Sequence, residues 1–318
     1  MDKFALACAA VFASVLAHSA LCADVGSERA NLWGAAKMPA NEARAQAALD
    51  NQIGREIRGE QKSEPGKVRI RSVKEPYYRL FNPAGGGRRG LVIVAPGGGY
   101  YLLAADHEGE AICRRLNESG IAAMLLIYRV PDNPQGALQD IQRAVRLARA
   151  NAEKWNVDPG KIAVMGFSAG ANLCARASAN SGAQSYSPTD EIDSQSARPD
   201  NTLLIYPAYC DARGYNSRWR KPQSGGDSYS DKYALAADLK IDKNTPPAFI
   251  VQSQNDSGCI NSSFAYYLAL KDAGVPACLH IFDKGGHGYG LGRKGMLASA
   301  WGDLAVDWLK RYGYCAEK

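Results

Sequence analysis

Six short runs of almost unbroken apolar residues constrain this chain more than any other feature. They are Leu91-Val92-Ile93-Val94-Ala95, Ala122 to Tyr128, Ile162 to Met165, Thr202 to Tyr206, Ala248 to Gln252 and Ala277 to Phe282. A strand with one face in water alternates polar and apolar residues, whereas a strand covered on both faces has no polar side to show. The stretches between the runs carry helical periodicity instead. Leu138, Ile141, Val145 and Ala148 share one face. Phe264, Leu268 and Lys271 begin a helix that Gly274 ends, and Trp301, Leu304, Ala305 and Leu309 mark a last one. Buried strands alternating with amphipathic helices predict an α/β fold, a mostly parallel sheet with helices on both faces. Val68 to Val73 and Tyr77 to Phe81 alternate. They fit two antiparallel edge strands, which brings the expected sheet to eight.

Residues 67–318 read as a single domain, with no repeat and no linker. The segment 24–66 is polar, with few large apolar residues, and predicts a loosely ordered lead-in, partly helical over Asn41 to Asn51. Residues 1–23 differ again. Lys3 precedes an apolar run from Phe4 to Ala17 broken only by Ser14, and small residues lead to Ala23. That pattern predicts a secretory signal peptide cleaved near Ala23, and hence a secreted or periplasmic protein. Lipid attachment at Cys22 ranks second, because Leu21 is bulkier than that cleavage prefers. No stretch reaches the roughly 18 apolar residues of a membrane span. The net charge of +6 is spread along the chain, which argues against a nucleic-acid partner. Two polar, aperiodic stretches, Ser181 to Pro199 and Asp211 to Ser230, read as surface excursions. Beyond the leader lie Cys113, Cys174, Cys210, Cys259, Cys278 and Cys315. With no CxxC pair and only four histidines in the chain, no metal site is expected, and no organic cofactor.

The chemistry sits where strands end. Gly166-Phe167-Ser168-Ala169-Gly170 follows one apolar run and opens a helical stretch. In such a tight strand–turn–helix bend, side chains two positions from the serine would strike the backbone. Glycines relieve the crowding and can adopt positive φ, and the serine oxygen is held above the sheet edge. The amide of Ala169 then lies at a helix N-terminus, where an anion is stabilised. Pro96-Gly97-Gly98-Gly99-Tyr100 follows the first long run. Its glycines can turn amides of Gly98 and Gly99 toward a developing oxyanion, with Ala169 as a further donor. A phosphate loop would need a following Lys-Ser/Thr pair, which is absent.

A serine nucleophile needs a base. Of the four histidines, His18 lies in the leader, His280 inside a strand, and His107 before a helix, in a packing or capping position. His287 stands in the glycine-rich segment Lys284 to Tyr289, after the last strand. Asp256, after the preceding strand, is the carboxylate that would orient it. Asp283 is nearer in sequence but would have to fold back. Ser168, Asp256 and His287 keep the chain order of α/β-hydrolases.

Several segments make the resemblance specific. They are Ala95 to Tyr100, Asp106-His107-Glu108-Gly109-Glu110, Tyr128-Arg129-Val130-Pro131, Leu138-Gln139-Asp140, the Ser168 segment, Arg198-Pro199-Asp200, Ile205-Tyr206-Pro207, and Lys284 to Gly290. Over residues 68–312 the chain resembles the bacterial acetyl-xylan esterase-like branch of the α/β-hydrolases, which also holds feruloyl and other carbohydrate esterases. The resemblance implies a Ser168–Asp256–His287 triad and small-molecule or polysaccharide ester substrates, often acetylated plant polysaccharides. Two places depart from the family pattern. Ala171-Asn172 stand where Gly-His is frequent, a change expected to matter little for the chemistry. The acid loop reads Asn255-Asp256-Ser257-Gly258-Cys259, with one carboxylate where two are usual. Cys210 and Cys259 both follow strand ends on the same edge, while Cys278 and Cys315 sit at a strand start and after the last helix. Disulfides Cys210–Cys259 and Cys278–Cys315 are therefore expected. Two rival readings are a peptidase or lactonase on the same triad, and a binding protein with an inactive hydrolase fold.

Overall fold

In the computed structural model, which describes residues 28–41, 60–64, 67–180, 182–213 and 233–316, the apolar runs all become strands of one sheet. The leader, the helix expected over Asn41 to Asn51 (apart from Asn41) and most of the Asp211 to Ser230 excursion lie outside the described residues. The ten strands are β1 (Ala30–Asn31), β2 (Glu60–Glu64), β3 (Lys67–Ile70), β4 (Tyr77–Phe81), β5 (Arg89–Ala95), β6 (Ala122–Ile127), β7 (Val157–Phe167), β8 (Asn201–Ile205), β9 (Ala248–Ser253) and β10 (Ala277–Phe282). Eight of them form the main sheet in the order β1-β4-β6-β5-β7-β8-β9-β10. From β6 to β10 every pairing is parallel, and β4 and β1 continue the sheet antiparallel. Every residue of β5, β6, β8 and β9 is buried, as the unbroken apolar runs require.

The count of eight strands holds, but one member differs from expectation. Val68 to Val73 is not an edge strand of this sheet. Its first residues form β3, which pairs with β2 in a separate hairpin, and Val73 meets Val130 in an isolated bridge. The antiparallel edge position goes to β1, from the segment read as a loose lead-in. Leu32 and Trp33, just after β1, are buried, and Trp33 Nε1 donates to Asp140 Oδ1 at 3.0 Å. Two large apolar side chains are enough to draw a polar segment onto the core.

Five helices cover the sheet among the described residues: α1 (Ala111–Glu118), α2 (Pro134–Ala150), α3 (Ala169–Ala179), α4 (Ile260–Asp272) and α5 (Trp301–Arg311). Right-handed crossovers decide their faces. The step β5–α1–β6 runs one way across the sheet, and β6–α2–β7 runs back over β5, so α1 and α2 lie on opposite faces. The later crossovers place α3 and α4 with α2. The last helix joins α1, where Arg115 and Asp303 pair at 2.5 Å. Asn133 starts α2 by accepting the Gly136 amide, with Pro134 in the first turn. Gly274 ends α4 at φ +71°, a left-handed conformation that glycine adopts without cost. Among the described residues no helix is long and apolar enough to cross a membrane.

The two expected disulfides are absent, and all six of these cysteines are free thiols. The loop after β8 is tied to α4 by a hydroxyl instead. Ser262 Oγ accepts the Cys210 amide at 3.1 Å and donates to Asp211 at 2.6 Å. The C-terminal tail carries Cys315 away from β10: its thiol donates to Ser119 O beyond α1, and the Tyr314 carbonyl accepts the Gly90 amide of the β5 region. Cys278 stays behind on the edge strand.

Candidate active site

The reversal of strand order around β5 sets the place of the site. In open α/β sheets, such a switch leaves a crevice at the carboxyl ends of the strands. Ala95 of β5 is in register with Gly166 of β7, and Phe167 with Ile205 of β8. The glycine loop and the serine turn therefore emerge side by side, although more than sixty positions separate them in sequence.

Ser168 holds φ +52°, an uncommon backbone state for a residue with a side chain. It is retained because its surroundings over-determine it. Its amide donates to Ile205 O, and its carbonyl accepts from Ala171, Asn172 and Ala208. Gly166 and Gly170 serve close approach, and neither has positive φ: a Cβ on Gly166 would run into Gly170 O, and one on Gly170 into Ala95 O. Of the two roles expected of these glycines, relief of crowding and positive φ, only the first applies.

The three residues nominated from sequence meet. His287 Nε2 is 2.7 Å from Ser168 Oγ, and His287 Nδ1 is 2.6 Å from Asp256 Oδ2. The Asp256 carboxyl is 5% exposed and the imidazole 35%, so the acid is shielded while the base faces the solvent side of the crevice. Asp283 is exposed and does not take this place. Asp256, Cys259 and His287 also offer ligand-type atoms within 4.8 Å of one another, but two of the three are already committed to the short imidazole–carboxylate hydrogen bond.

Beside Ser168, Gly98 and Gly99 have φ +133° and +64°, and Tyr100 has +62°. Within the described residues, the amides of Gly98, Gly99 and Ala169 donate to no protein acceptor. A Cβ at Gly97 would come within 2.9 Å of the Ser168 Cβ, so the loop backbone lies against the serine turn. Tyr209, partly buried near Tyr101, flanks the glycine loop, and burial pushes its phenol up to about 12.

The remaining histidines lie elsewhere. His280 packs on Phe249 with ring centroids 4.9 Å apart, and burial lowers its pKa. His107 contacts Asp106 at 3.0 Å and packs against Gly290. It lines a separate cleft of about 740 Å³ with Tyr77, Arg79, Asp106 and Glu110, which contains none of the three nominated residues. The acids of that cleft are paired: Arg69 with Asp106, and Arg79 and Arg114 with Glu110.

Four residues that support the site escaped the sequence reading. Asn172 is 4% exposed, accepts the Tyr100 hydroxyl at 2.9 Å and donates to Tyr209 O at 3.1 Å. It thus ties the glycine loop to the segment after β8, more than was expected of a changed family position. Asn255 accepts the amides of Gly285 and Gly286 at 3.0 and 2.8 Å and so fixes the histidine loop to the acid loop. Glu108 and Tyr206 are buried and hydrogen-bonded to each other at 2.8 Å. The Asn255-Asp256 adjacency, the Asp106 to Glu110 motif, the Ile205-Tyr206-Pro207 segment and the changed Ala171-Asn172 position drew attention to these residues, but none of them indicated the partners.

Comparison with known proteins agrees with the architecture. A family model for the alpha/beta hydrolase fold matches residues 92–291. An endo-1,4-beta-xylanase B of Butyrivibrio fibrisolvens is 32% identical over 195 residues, 58% of this chain. An acetylxylan esterase of Xylanibacter ruminicola is 30% identical over 205 residues, 60% of this chain. The chain spans 30% and 39% of the lengths of these two relatives. The crystal structure of an acetyl ester-xyloside bifunctional hydrolase from Caldicellulosiruptor lactoaceticus is 32% identical, with a TM-score of 0.66 over 76% of this chain and 90% of that one. The chain belongs to the α/β-hydrolase family, where it is similar to acetylxylan esterases.

Proposed function

We propose that this protein is an exported serine carboxylesterase that removes acetyl groups from carbohydrate esters such as acetylated xylan. The observation that carries the reading is the hydrogen-bonded chain from Ser168 through His287 to Asp256, at 2.7 and 2.6 Å, beside amides free to receive an oxyanion. The acetyl and xylan parts rest on the relatives named above, and export rests on the apolar leader.

The geometry implies the following reaction. Ser168 Oγ attacks the ester carbonyl while His287 Nε2 takes its proton. Asp256 accepts from Nδ1–H, which fixes the tautomer and stabilises the imidazolium. The oxyanion is received by the Gly98, Gly99 and Ala169 amides, the last at the N-terminus of α3. His287 then protonates the departing sugar oxygen as its bond to the acyl carbon breaks, and a water that gives its proton to the same histidine attacks the acyl-serine and releases acetate.

Replacing Ser168 with alanine should lower hydrolysis of p-nitrophenyl acetate by at least about 10⁴-fold; a wild-type rate in that variant rejects the mechanism. The substrate class is tested by comparing acetate release from acetylated xylan with ferulate release from feruloyl esters. Faster ferulate release rejects the deacetylase reading and leaves the triad standing.

A further inference from the structure

Glu108 lies outside the nucleophile–base–acid chain, yet it touches both halves of the site. Its side chain is 3% exposed. Oε2 accepts the Gly97 amide at 2.9 Å, and Oε1 accepts the Tyr206 hydroxyl at 2.8 Å. Each carboxyl oxygen is thus engaged by a different partner. The chain of contacts continues beyond it, since Tyr206 Oη accepts the Gly290 amide at 2.9 Å. Gly290 closes the histidine loop, and its carbonyl accepts Trp301 Nε1 at 2.9 Å. The Tyr206 ring also stands edge-on to His287, with centroids 5.2 Å apart. One side chain therefore joins the loop after β5, the residue after β8 and the loop after β10.

Both ends of this bridge are places where the backbone needs external support. At one end, Gly98, Gly99 and Tyr100 follow Gly97 with positive φ. Their amides can face a substrate only if the turn is held from below. Part of the hold is Tyr128, whose hydroxyl donates to Pro96 O at 2.6 Å. Glu108 holds the next residue along, and a Cβ on Gly97 would meet both Glu108 Oε2 and the Ser168 Cβ. At the other end, Gly286, Gly288 and Gly290 all have positive φ around His287. A loop so rich in glycine fixes an imidazole only through its anchors, and Gly290 is one of them.

We infer that Glu108 is a positioning residue for the reaction: through Gly97 it sets the oxyanion loop, and through Tyr206 and Gly290 it sets the histidine loop, so that donor amides and base keep one mutual geometry. This inference rests on the esterase reading above. Glu108 does not touch the substrate. Its contribution is alignment, and alignment errors near one ångström cost about 100-fold in rate.

Glu108→Gln is the sharpest test. Gly97 and Tyr206 donate to different oxygens of the carboxylate, and the substitution turns one of these oxygens into an NH2 donor, so the two contacts cannot both keep their acceptor. With p-nitrophenyl acetate, and with active sites counted by endpoint titration with a fluorophosphonate, kcat per titrated site should fall by more than about fivefold while KM stays within about threefold. Tyr206→Phe should give a loss of the same kind. The double variant should be no worse than Glu108→Gln by more than about twofold, because both act through one chain of contacts. A smaller fall per titrated site, a loss confined to KM, or multiplicative losses in the double variant would overturn the inference. If Glu108→Gln does not fold, the same kcat and KM thresholds apply to Tyr206→Phe alone. Ser168→Ala separates the two claims. An active Ser168→Ala removes the esterase reading beneath this one, whereas an inactive Ser168→Ala beside an unimpaired Glu108→Gln removes only the role of Glu108.

Discussion

Among the described residues, two of the buried polar networks differ in what they hold. One lies at the carboxyl ends of β5, β7, β8 and β10 and links Gly97, Glu108, Tyr206 and the histidine loop. The other surrounds α2. There Arg129 and Asp140, 1% and 0% exposed, are joined through guanidinium and backbone. Asp140 also accepts Trp33 Nε1. Nearby, Arg143 pairs with Asp190 and Asp193, Tyr186 donates to Asp193 at 2.6 Å, and the Arg143 guanidinium lies 5.4 Å from the Trp33 ring centroid. The second network is the more heavily charged. Most of its groups are spent on one another and on fastening β1 and the 182–199 excursion to α2, with Arg143 Nε the buried atom left over. The first contains one charge, borders a strained serine and open amides, and faces the crevice. Charge density alone therefore does not mark a functional site; unspent hydrogen-bonding capacity at the sheet edge does.

This contrast predicts opposite responses to mutation. The largest effect belongs to the site. Asp256→Asn leaves the shape intact but can hold the wrong imidazole tautomer, and kcat for p-nitrophenyl acetate should drop by about 10⁴-fold with the unfolding midpoint little changed. A loss under tenfold would mean that Asp256 is dispensable to the base. The α2 network should behave in the reverse way. Asp140→Asn leaves the Arg129 guanidinium buried without its counter-charge, a change that costs about 3–5 kcal/mol in denaturant unfolding. The kcat of the folded fraction should stay within about twofold of wild type, because no group of that network borders the reacting atoms. A stable but inactive Asp140→Asn would erase the distinction between the networks.

The smallest effect lies at Asp106, in the separate cleft beside His107. Burial alone would raise its pKa, but hydrogen bonds from His107 and Val68 and the Arg69 charge outweigh it and hold the group at about 2. A depressed folded value means that the carboxylate contributes stability above its unfolded pKa, and that this contribution is lost as pH falls from about 4 through 2. The group is partly exposed, so screening limits the contribution to about 1 kcal/mol. Asp106→Asn should therefore unfold earlier than wild type at pH 6, and the gap should shrink as pH falls below about 4, to well under half its size at pH 2. A gap undiminished at pH 2 would show that the stabilisation is not electrostatic.

The chemistry of the site was more legible in the sequence than its support. Ser168, Asp256 and His287 could be named because each follows a recognisable apolar strand and is flanked by turn residues that announce a loop. Glu108 stood within a motif that was noticed, but its partners Gly97 and Tyr206 lie 11 and 98 positions away, and nothing in residue type tells which distant hydroxyl a buried carboxyl will find. Asn172 looked like a neutral change for the same reason. The disulfide expectation failed on a related point. Strand ends on one edge place two cysteines in one neighbourhood without setting the direction of either side chain, and Ser262 fills the tie that a bond between Cys210 and Cys259 would have made.

Residue patterns along the chain specified the alternation of apolar strands and helices, the order of the catalytic candidates, and the serine turn. All of these depend on local periodicity and on residues within a few positions of one another. Tertiary structure alone decided that β1 rather than Val68 to Val73 completes the main sheet, that the cysteines stay free, and that one carboxylate bridges the glycine and histidine loops. Those outcomes turn on competition among distant groups for the same surface, hydrogen bond or edge. Such a competition is settled only when the sheet brings the groups together.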